Sequence, residues 1–223
     1  MAAGARPAHA AQSSAASGEK PVRRVLLLPP RVEYYHSTVE MTQGQPSQRA
    51  DAKPGASEEA ARVLGAITSE VLEESGVTVT PAELLPAPPD AAAAAAVEES
   101  MRQIFKRFDE RFLPQPGQDL PTGQFEMPRE AGRLANWADA GALVLVRGMG
   151  MSRSGGSRAL GAVTSLSKGS KDEIEVHIAV IDGVTGRVTA RTRTSIDSRL
   201  LNDADQLHRV LAEKMKDFAL LKK

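Results

Sequence analysis

The sequence predicts an α/β protein of one domain, in which a mixed sheet of about five strands carries packed helices, a C-terminal β-hairpin and a closing helix. Three observations predict this fold. A buried strand at 142–147 precedes two alternating strands, 173–181 and 187–196, which a short turn joins. Further upstream, an apolar strand, an amphipathic helix and a second strand follow one another over 24–80, an order that favours parallel pairing through a crossover.

The composition fits one globular domain without cysteine chemistry. Of the 223 residues, 41% are hydrophobic, which suffices for a core. Residues 1–21 are predicted to be a disordered Ala/Ser-rich tail or tether, which leaves 22–223 as the domain. The lack of cysteine excludes disulfides, thiolate metal sites and cysteine nucleophiles. Basic and acidic residues both total 28, so we expect no nucleic acid among the partners.

The compartment is left open between two interpretations. No apolar run approaches the roughly 20 residues that a membrane-spanning helix needs, and the start of the chain lacks the apolar segment of a secretory signal. Either the protein is cytoplasmic, or the chain is trimmed after a natural export signal with Met1 added. We favour the second interpretation because of a resemblance described below.

The N-terminal part of the domain predicts a short buried strand followed by an arm and a loop. Residues 24–28 form a continuous apolar run, which is typical of a strand buried on both faces, and Pro29 and Pro30 end it. The β-prone segment 32–39 predicts an edge strand or an extended arm. The polar segment 43–55 predicts a loop.

Two helices are predicted between residues 57 and 112. Ser57 is placed to cap the first helix, and Gly76 to end it before a strand at 77–80. After a proline-rich connector, Asp90 is placed to cap the second helix. Its apolar stripe is interpreted as a core face, with a ligand or partner groove as the alternative, and comprises Val97, Met101, Ile104, Phe105, Phe108 and Phe112.

A short helix and a long loop are predicted on either side of the strand at 142–147. The helix, at 129–140, holds Trp137, which we expect to pack against the domain. The segment 148–171 is rich in glycine and serine at both ends and predicts a long flexible loop.

Apolar faces are predicted on the last helix and on the second strand, 187–196, of the C-terminal hairpin, which we call the ribbon. Glu175 is expected to pair across the ribbon with Arg193 or Arg191. The apolar face of the returning strand comprises Val188, Ala190, Thr192, Thr194 and Ile196. Asn202 or Asp203 caps the last helix. Its inward residues are predicted to be Leu207, Val210, Leu211, Lys214, Phe218 and Leu221.

No catalytic, cofactor or metal site is predicted. Gly148 and Gly150 follow a strand, but Arg153 replaces the third glycine of a dinucleotide fingerprint, and no phosphate-loop sequence occurs. No nucleophile elbow surrounds a serine. The histidines lack metal-binding spacing, so we expect solvated or hydrogen-bonded structural roles, with His177 on the polar face of the ribbon; they are His9, His36, His177 and His208.

The long loop and the aromatic arm are the predicted partner-binding regions. The length of the loop and the basic side chains around it motivate this prediction. The alternative is a solvated loop that binds no partner. Deleting 155–168 is expected to leave the fold intact and to abolish partner capture. The predicted contact residues are Tyr34, Tyr35, His36, Arg153, Arg158, Leu160, Lys168 and Lys171.

The order of elements over about 22–220 resembles a group of bacterial envelope proteins. A first strand ending in Pro29-Pro30, a helix ending at Gly76, and a last hairpin with an Asp-x-x-Thr-Gly turn at Asp182–Gly186 are the features that carry the resemblance. The group comprises small proteobacterial lipoproteins related to the CsgG-like curli-secretion family and to the LpoB-like lipoprotein activators of penicillin-binding proteins.

The resemblance implies a fold and a compartment, and no catalytic residue. It implies a non-enzymatic accessory or assembly factor that binds other envelope proteins at the periplasm or outer membrane and uses no cofactor. Homo-oligomerisation and a peripheral contact with membrane or cell wall are left open. Two alternatives are a structural subunit of a large envelope complex and a cytoplasmic small-ligand-binding protein. The last would need a polar pocket at the carboxyl ends of strands 25–28 and 142–146.

Overall fold

A computed structural model describes residues 24–42, 45–113, 125–153 and 172–218. Within these ranges the chain forms seven strands and four helices, with two short 3-10 turns. The strands are β1 Arg24–Leu27, β2 Arg31–Thr42, β3 Gln45–Ala52, β4 Thr78–Pro81, β5 Ala142–Arg153, β6 Glu173–Asp182 and β7 Val188–Asp197. The helices are α1 Pro54–Glu74, α2 Ala91–Phe112, α3 Pro128–Ala138 and α4 Ala204–Met215. None of these helices is long and apolar enough to span a bilayer.

The centre of the sheet is β5, which has one partner on one edge and two on the other. Strand β6 runs antiparallel to β5 along residues 142–151. The opposite edge of β5 pairs in parallel first with β1 and then with β2. The register shifts by one residue between them, because Val25 pairs with Ala142 whereas Arg31 pairs with Arg147. Strands β1 and β2 therefore lie end to end along the same edge of β5, with Pro29 and Pro30 between them.

The seven strands occupy only five positions across the sheet. Strands β4 and β3 lie beside β1 and β2, respectively, and β7 lies outside β6. The pairing of β1 with β4 is parallel, as the strand–helix–strand order predicts, whereas the two hairpins are antiparallel. The predicted fold class, a single α/β domain with a mixed sheet, is confirmed.

The predicted arm and loop form a β-hairpin instead. Strand β2 was predicted to be an edge strand or an arm, but it lies between β5 and β3 over residues 35–37. The polar segment predicted as a loop contains β3 and the first turn of α1. Because β3 is an outermost strand, its polar sequence has no apolar alternation that would have revealed it.

Helix α1 begins at Pro54, three residues before the predicted cap. Proline is well suited to a first helical position because its missing N–H needs no partner there. The hydroxyl of Ser57 instead accepts a hydrogen bond from the backbone N–H of Tyr34 (2.9 Å) and donates to the carbonyl of Lys53 (3.0 Å). The predicted cap residue thus fastens α1 to β2.

Each face of the sheet carries its own apolar layer. Helices α1 and α4 cover one face with a core that includes Val144, Val146, Leu64 and Leu211. Helices α2 and α3 cover the other face with Leu143, Leu145, Ile104, Phe105, Phe108 and Leu134. The continuous apolar runs of β1 and β5 follow from burial on both faces.

Most predicted helix ends are confirmed. Asp90 and Asp203 accept hydrogen bonds from the N–H groups of Ala93 (2.7 Å) and Gln206 (3.0 Å), which caps α2 and α4. Gly76 has a φ of 83° just after α1, a conformation that favours glycine. Trp137 packs against the α2–α3 core and donates from Nε1 to the carbonyl of Pro86 (3.3 Å).

Two predicted core positions are wrong, and one lies outside the described residues. A register shift at Val180/Ile181 places Val188 opposite Ile181, so that Val188 packs on the α2–α3 face and not with Ala190. Lys214 is exposed, and Met215 is buried on α4 beside it. Leu221 falls in 219–223, outside the described residues.

Candidate interaction surface

Strand β5 continues to Arg153, although we predicted that a flexible loop begins at residue 148. Its second half pairs with β2 on one side and β6 on the other. Residues paired across neighbouring strands point to the same face, so three rows of side chains cross the α2 face of the sheet. The first row is Arg31, Arg147, His177 and Arg193; the second is Glu33, Met149, Glu175 and Ser195; the third is Tyr35, Met151, Glu173 and Asp197.

The first row lies beneath the C-terminal half of α2. The guanidinium of Arg31 lies over the ring of Phe105, 4.1 Å from its centroid. The ring of Phe108 meets the imidazole of His177 edge-on at 6.3 Å. The aromatic side chains of α2 therefore cover this row, and among the described residues no helix covers Met149 and Met151 on the second and third rows. We call the second and third rows the open face.

Arg147 is the centre of a polar cluster between the sheet and α2. Its side chain is only 6% exposed. The guanidinium donates to the carboxylates of Asp109 (3.1 Å) and Glu33 (2.6 Å) and to the carbonyl of Gly148 (3.0 Å). A buried guanidinium needs such partners because desolvation without them is costly. The cluster therefore satisfies its own charges, which favours a structural role.

His177 was predicted to be a solvated or hydrogen-bonded histidine on the polar face of the ribbon; it is hydrogen-bonded, but it is only 1% exposed. Its Nε2 lies 2.6 Å from Glu175 Oε1, and its Nδ1 is buried without a hydrogen-bond partner among the described residues. Burial lowers the pKa of His177, and the adjacent carboxylate of Glu175 only partly offsets this effect. A neutral imidazole that donates from Nε2 to Glu175 fits this geometry.

The predicted pairing across the ribbon is confirmed. Arg193 donates to the carboxylate of Glu175 (2.6 Å). Burial acts to raise the pKa of Glu175, but the hydrogen bonds from Arg193 and His177 outweigh it, so that this pKa lies below its ordinary value. Glu175 is therefore ionised and links the first row to the second.

The open face combines exposed methionines with carboxylates. Met149 and Met151 are 43% and 38% exposed, although both lie in the interior of a paired strand. In the register of the sheet, Met149 lies between Glu33 and Glu175. Flexible, polarizable methionine side chains on a surface are typical of binding sites that adapt to a partner.

The third row carries the phenol of Tyr35 and the carboxylate of Glu173, which has fewer hydrogen-bond partners among the described residues than Glu175. Met151 lies between Tyr35 and Glu173 in the register. The Tyr35 hydroxyl donates to Glu33 (3.0 Å), and this hydrogen bond raises the pKa of Tyr35. Glu173 accepts a hydrogen bond from Ser195 (3.0 Å) and has no ion pair within the described ranges.

The predicted contact residues in β2 do not form a single arm surface. Tyr35 lies on the open face, whereas Tyr34 points to the opposite face and packs on the α1–α4 core. The imidazole of His36 lies 2.9 Å from the hydroxyl of Ser152, also on the opposite face. The structure therefore brings one of these three side chains to the open face.

The other predicted contacts lie largely outside the described residues. The backbone of Arg153 pairs with Ser37 at the end of β5. The positions Arg158, Leu160, Lys168 and Lys171 fall in 154–171, outside the described residues, so their role in binding stays a prediction.

Sequence reasoning did not foresee that Met149 and Met151 would be exposed on a paired strand. The segment Gly148-Met-Gly-Met151 was interpreted as loop because glycine is rare in strands. Here the glycines are required by packing, because a Cβ atom at Gly150 would collide with the ring of Tyr34. The two-residue alternation of glycine and methionine was the signal that could have identified the strand.

Two shallow pockets lie on helical surfaces away from the open face. One, of about 430 Å³, is lined mainly by charged side chains of α2 and the start of α3. The other, of about 480 Å³, lies between α1 and α4, where His208 Nε2 is 3.2 Å from Glu74 Oε2. Across the described ranges, no three His, Cys, Asp or Glu side chains are placed to hold a metal ion.

The small-ligand alternative requires a pocket at the carboxyl ends of 25–28 and 142–146. The chain continues as a strand beyond both segments, into β2 and into the second half of β5. The polar side chains at this level are those of the Arg147 cluster, which bind one another. The small-ligand alternative therefore stays a prediction.

No protein-family model and no curated protein matches this chain. Several solved structures show weak similarity. Lipoprotein GNA1162 from Neisseria meningitidis is 14% identical, with 88% of this chain and 99% of that chain covered and a TM-score of 0.37. A PelC dodecamer from Paraburkholderia phytofirmans is 13% identical, with 92% of each chain covered and a TM-score of 0.35.

The C-terminal domain of LpoB from Salmonella enterica is a further structural neighbour. It is 10% identical, with 81% of this chain and 87% of that chain covered and a TM-score of 0.30. These similarities are too weak to assign a family, and a relation to the CsgG-like family stays a prediction. What the structure defines is a class: a three-layered α/β protein, with helices on both faces of the sheet, whose sheet extends beyond helix α2.

Proposed function

We propose that this chain is a non-enzymatic accessory or assembly factor of the bacterial envelope, and that it binds other proteins through the open face. One observation carries the proposal: Met149 and Met151 stand exposed beside Tyr35 on a well-paired sheet. Sheet faces in α/β proteins are normally covered by helices, so an apolar strip that no described helix covers is a natural docking surface. The envelope compartment follows from the sequence resemblance.

The lack of enzymatic activity is part of the same proposal. Arg147, which lies next to the open face, is almost wholly buried, and its guanidinium is engaged with the carboxylates of Asp109 and Glu33. A general acid, base or nucleophile must reach its substrate, which this arrangement disfavours.

Position-specific photo-cross-linking in cells that naturally produce the protein tests the binding surface. A photoreactive residue at position 149 is expected to give a discrete adduct with another protein. The matched control is position 184, because Val184 is also an exposed apolar residue (80%) but lies in the β6–β7 turn. Equal adducts at both positions, or none at position 149, would contradict the proposal.

Fractionation tests the compartment separately. The gene is expressed from its natural start with a C-terminal tag, and protease is added to spheroplasts. We expect an envelope-bound, protease-sensitive protein. A soluble, protected protein would remove the compartment from the proposal and leave the binding surface to be tested by cross-linking alone.

A further inference from the structure

We infer that the open face receives a cationic amphipathic helix of a partner protein, an inference that rests on the proposed function and specifies its partner. The first observation is geometric. Helix α2 crosses the strands over the first row, and among the described residues no helix covers Met149 and Met151 on the next two rows. A second helix laid across the strands would continue the helical layer.

The dimensions of the open face suit such a helix. Four strands lie side by side there, which gives a width of about 19 Å at about 4.8 Å per strand. At 1.5 Å per residue, about 13 residues of α-helix would cross it. Two rows along the strands span roughly 7 Å from row to row, so one helix about 10 Å in diameter would contact both.

Charge determines which kind of helix fits. The eight positions of the second and third rows include four carboxylates and no lysine or arginine: Glu33, Glu175, Glu173 and Asp197. Arg147, Arg193 and Arg199 pair with three of them from outside these rows, whereas Glu173 has no ion pair within the described ranges. The carboxylates of these two rows therefore outnumber the arginines that pair with them by one, and the extra carboxylate, Glu173, lies beside Met151 in the register.

A partner with lysine or arginine on its flanks and leucine-like residues at its centre complements this pattern. Its apolar face would bury Met149 and Met151, and its cations would lie over the carboxylates on either side.

Fluorescence anisotropy with a defined probe tests the inference on the full chain. The probe is a labelled 18-residue peptide with lysine and leucine at helical spacing; the controls replace all lysines by glutamate, or all leucines by glutamine. The lysine–leucine peptide is expected to bind at least about tenfold more tightly than either control. Comparable binding of the glutamate peptide to the protein would overturn the inference.

Two variants locate the binding site. Met149→Thr/Met151→Thr keeps β-forming residues and is expected to weaken peptide binding about tenfold, whereas Val184→Thr, elsewhere on the surface, leaves it unchanged. Glu173→Gln is expected to weaken binding several-fold at low salt and to have little effect at high salt. Unchanged binding in the methionine variant, or in Glu173→Gln at low salt, would overturn the inference. If the double variant does not fold, Glu173→Gln alone still tests it.

The outcome separates this inference from the function on which it rests. If position 149 cross-links to a protein in cells but the cationic peptide does not bind, the partner is of another chemistry and the inference fails alone. If neither is seen, both fail.

Discussion

At the scale of single residues, the buried guanidinium of Arg147 is the most consequential charge. Its side chain is 6% exposed, while its partners Asp109 and Glu33 are 37% and 49% exposed. Removing one member of a buried ion pair typically costs about 3–5 kcal/mol. Because both partners here retain water, Arg147→Ala is expected to lower the free energy of unfolding by about 2–3 kcal/mol, measured by urea denaturation.

A matched control separates this cluster from an ordinary surface pair. Arg62 forms an equally short ion pair with Glu59 (2.6 Å), but on the exposed face of α1. Arg62→Ala should leave the urea midpoint almost unchanged, because exposed pairs are screened by solvent. Similar losses for Arg62→Ala and Arg147→Ala would show that burial of the Arg147 cluster contributes little.

His177 predicts a pH dependence of stability. The surrounding groups are Arg147 on β5, Arg193 on β7, Phe108 on α2 and Glu175 on its own strand. Burial lowers the folded-state pKa below the unfolded value of about 6.5. Below that pH the unfolded chain binds more protons than the folded chain, so the free energy of unfolding decreases as pH falls through about 6.5.

The test compares stability at pH 7.5 and pH 5.5 in the original protein and in His177→Leu. The original protein is expected to lose more stability between the two pH values than the variant does. His36 and His208 are present in both proteins, so their contributions largely cancel. The acid effect of Glu175, whose pKa is also lowered, appears only below about pH 4.5 and lies outside this window. Identical losses would contradict the account of His177.

At this scale the sequence predicts contacts between near neighbours in a known register. The pairing of Glu175 with Arg193 followed from strand alternation alone. The burial of His177 did not, because it depends on Phe108, which a distant helix brings over the sheet. The same holds for the burial of Arg147, because helix α2 places Asp109 beside it.

At the scale of elements, the turn after β6 joins two parts of the fold. Gly186 has a φ of 66°, and its carbonyl accepts a hydrogen bond from the N–H of Met127 (3.1 Å). Asp182 accepts hydrogen bonds from the N–H groups of Val184 (3.1 Å) and Thr185 (2.6 Å), which fixes the turn. Burial acts to raise the pKa of Asp182, but these bonds outweigh it and lower the pKa.

Gly186→Ala is expected to destabilise the fold by about 2–4 kcal/mol. A Cβ atom there would collide with the backbone of Met127, and alanine also disfavours a positive φ. The control Gly55→Ala lies in the first turn of α1 with no atom near its Cβ position, and should be neutral or slightly stabilising. Thermal melts of both variants check this; a mild effect at Gly186 would contradict the tight contact.

The elements that the sequence did not predict are those that lack a pattern of hydrophobic residues. Strand β3 is polar because it is outermost, and the second half of β5 contains Gly148 and Gly150, which local propensity assigns to loops. Both segments form strands because the neighbouring strands β2 and β6 provide partners for their backbone hydrogen bonds. In contrast, the apolar runs of β1 and the first half of β5 required no such information.

At the scale of the whole molecule, the sequence predicts the class and number of layers. Two apolar strands and amphipathic helices require a sheet with both faces covered. The sequence does not predict that β1 and β2 lie end to end along β5 with a proline pair between them. Because β1 and β2 share one position in the sheet, as do β4 and β3, seven strands occupy five positions. The end-to-end arrangement of β1 and β2 lengthens the sheet beyond α2 and thereby creates the open face.

Methyl NMR of the methionines tests most directly whether the open face is the contact surface. The chain has seven methionines, and single Met→Leu variants assign their methyl signals. On titration with the lysine–leucine peptide, the signals of Met149 and Met151 should shift and saturate, while those of the buried Met127 and Met215 stay in place. Shifts confined to other methionines, with Met149 and Met151 unmoved, would contradict the account.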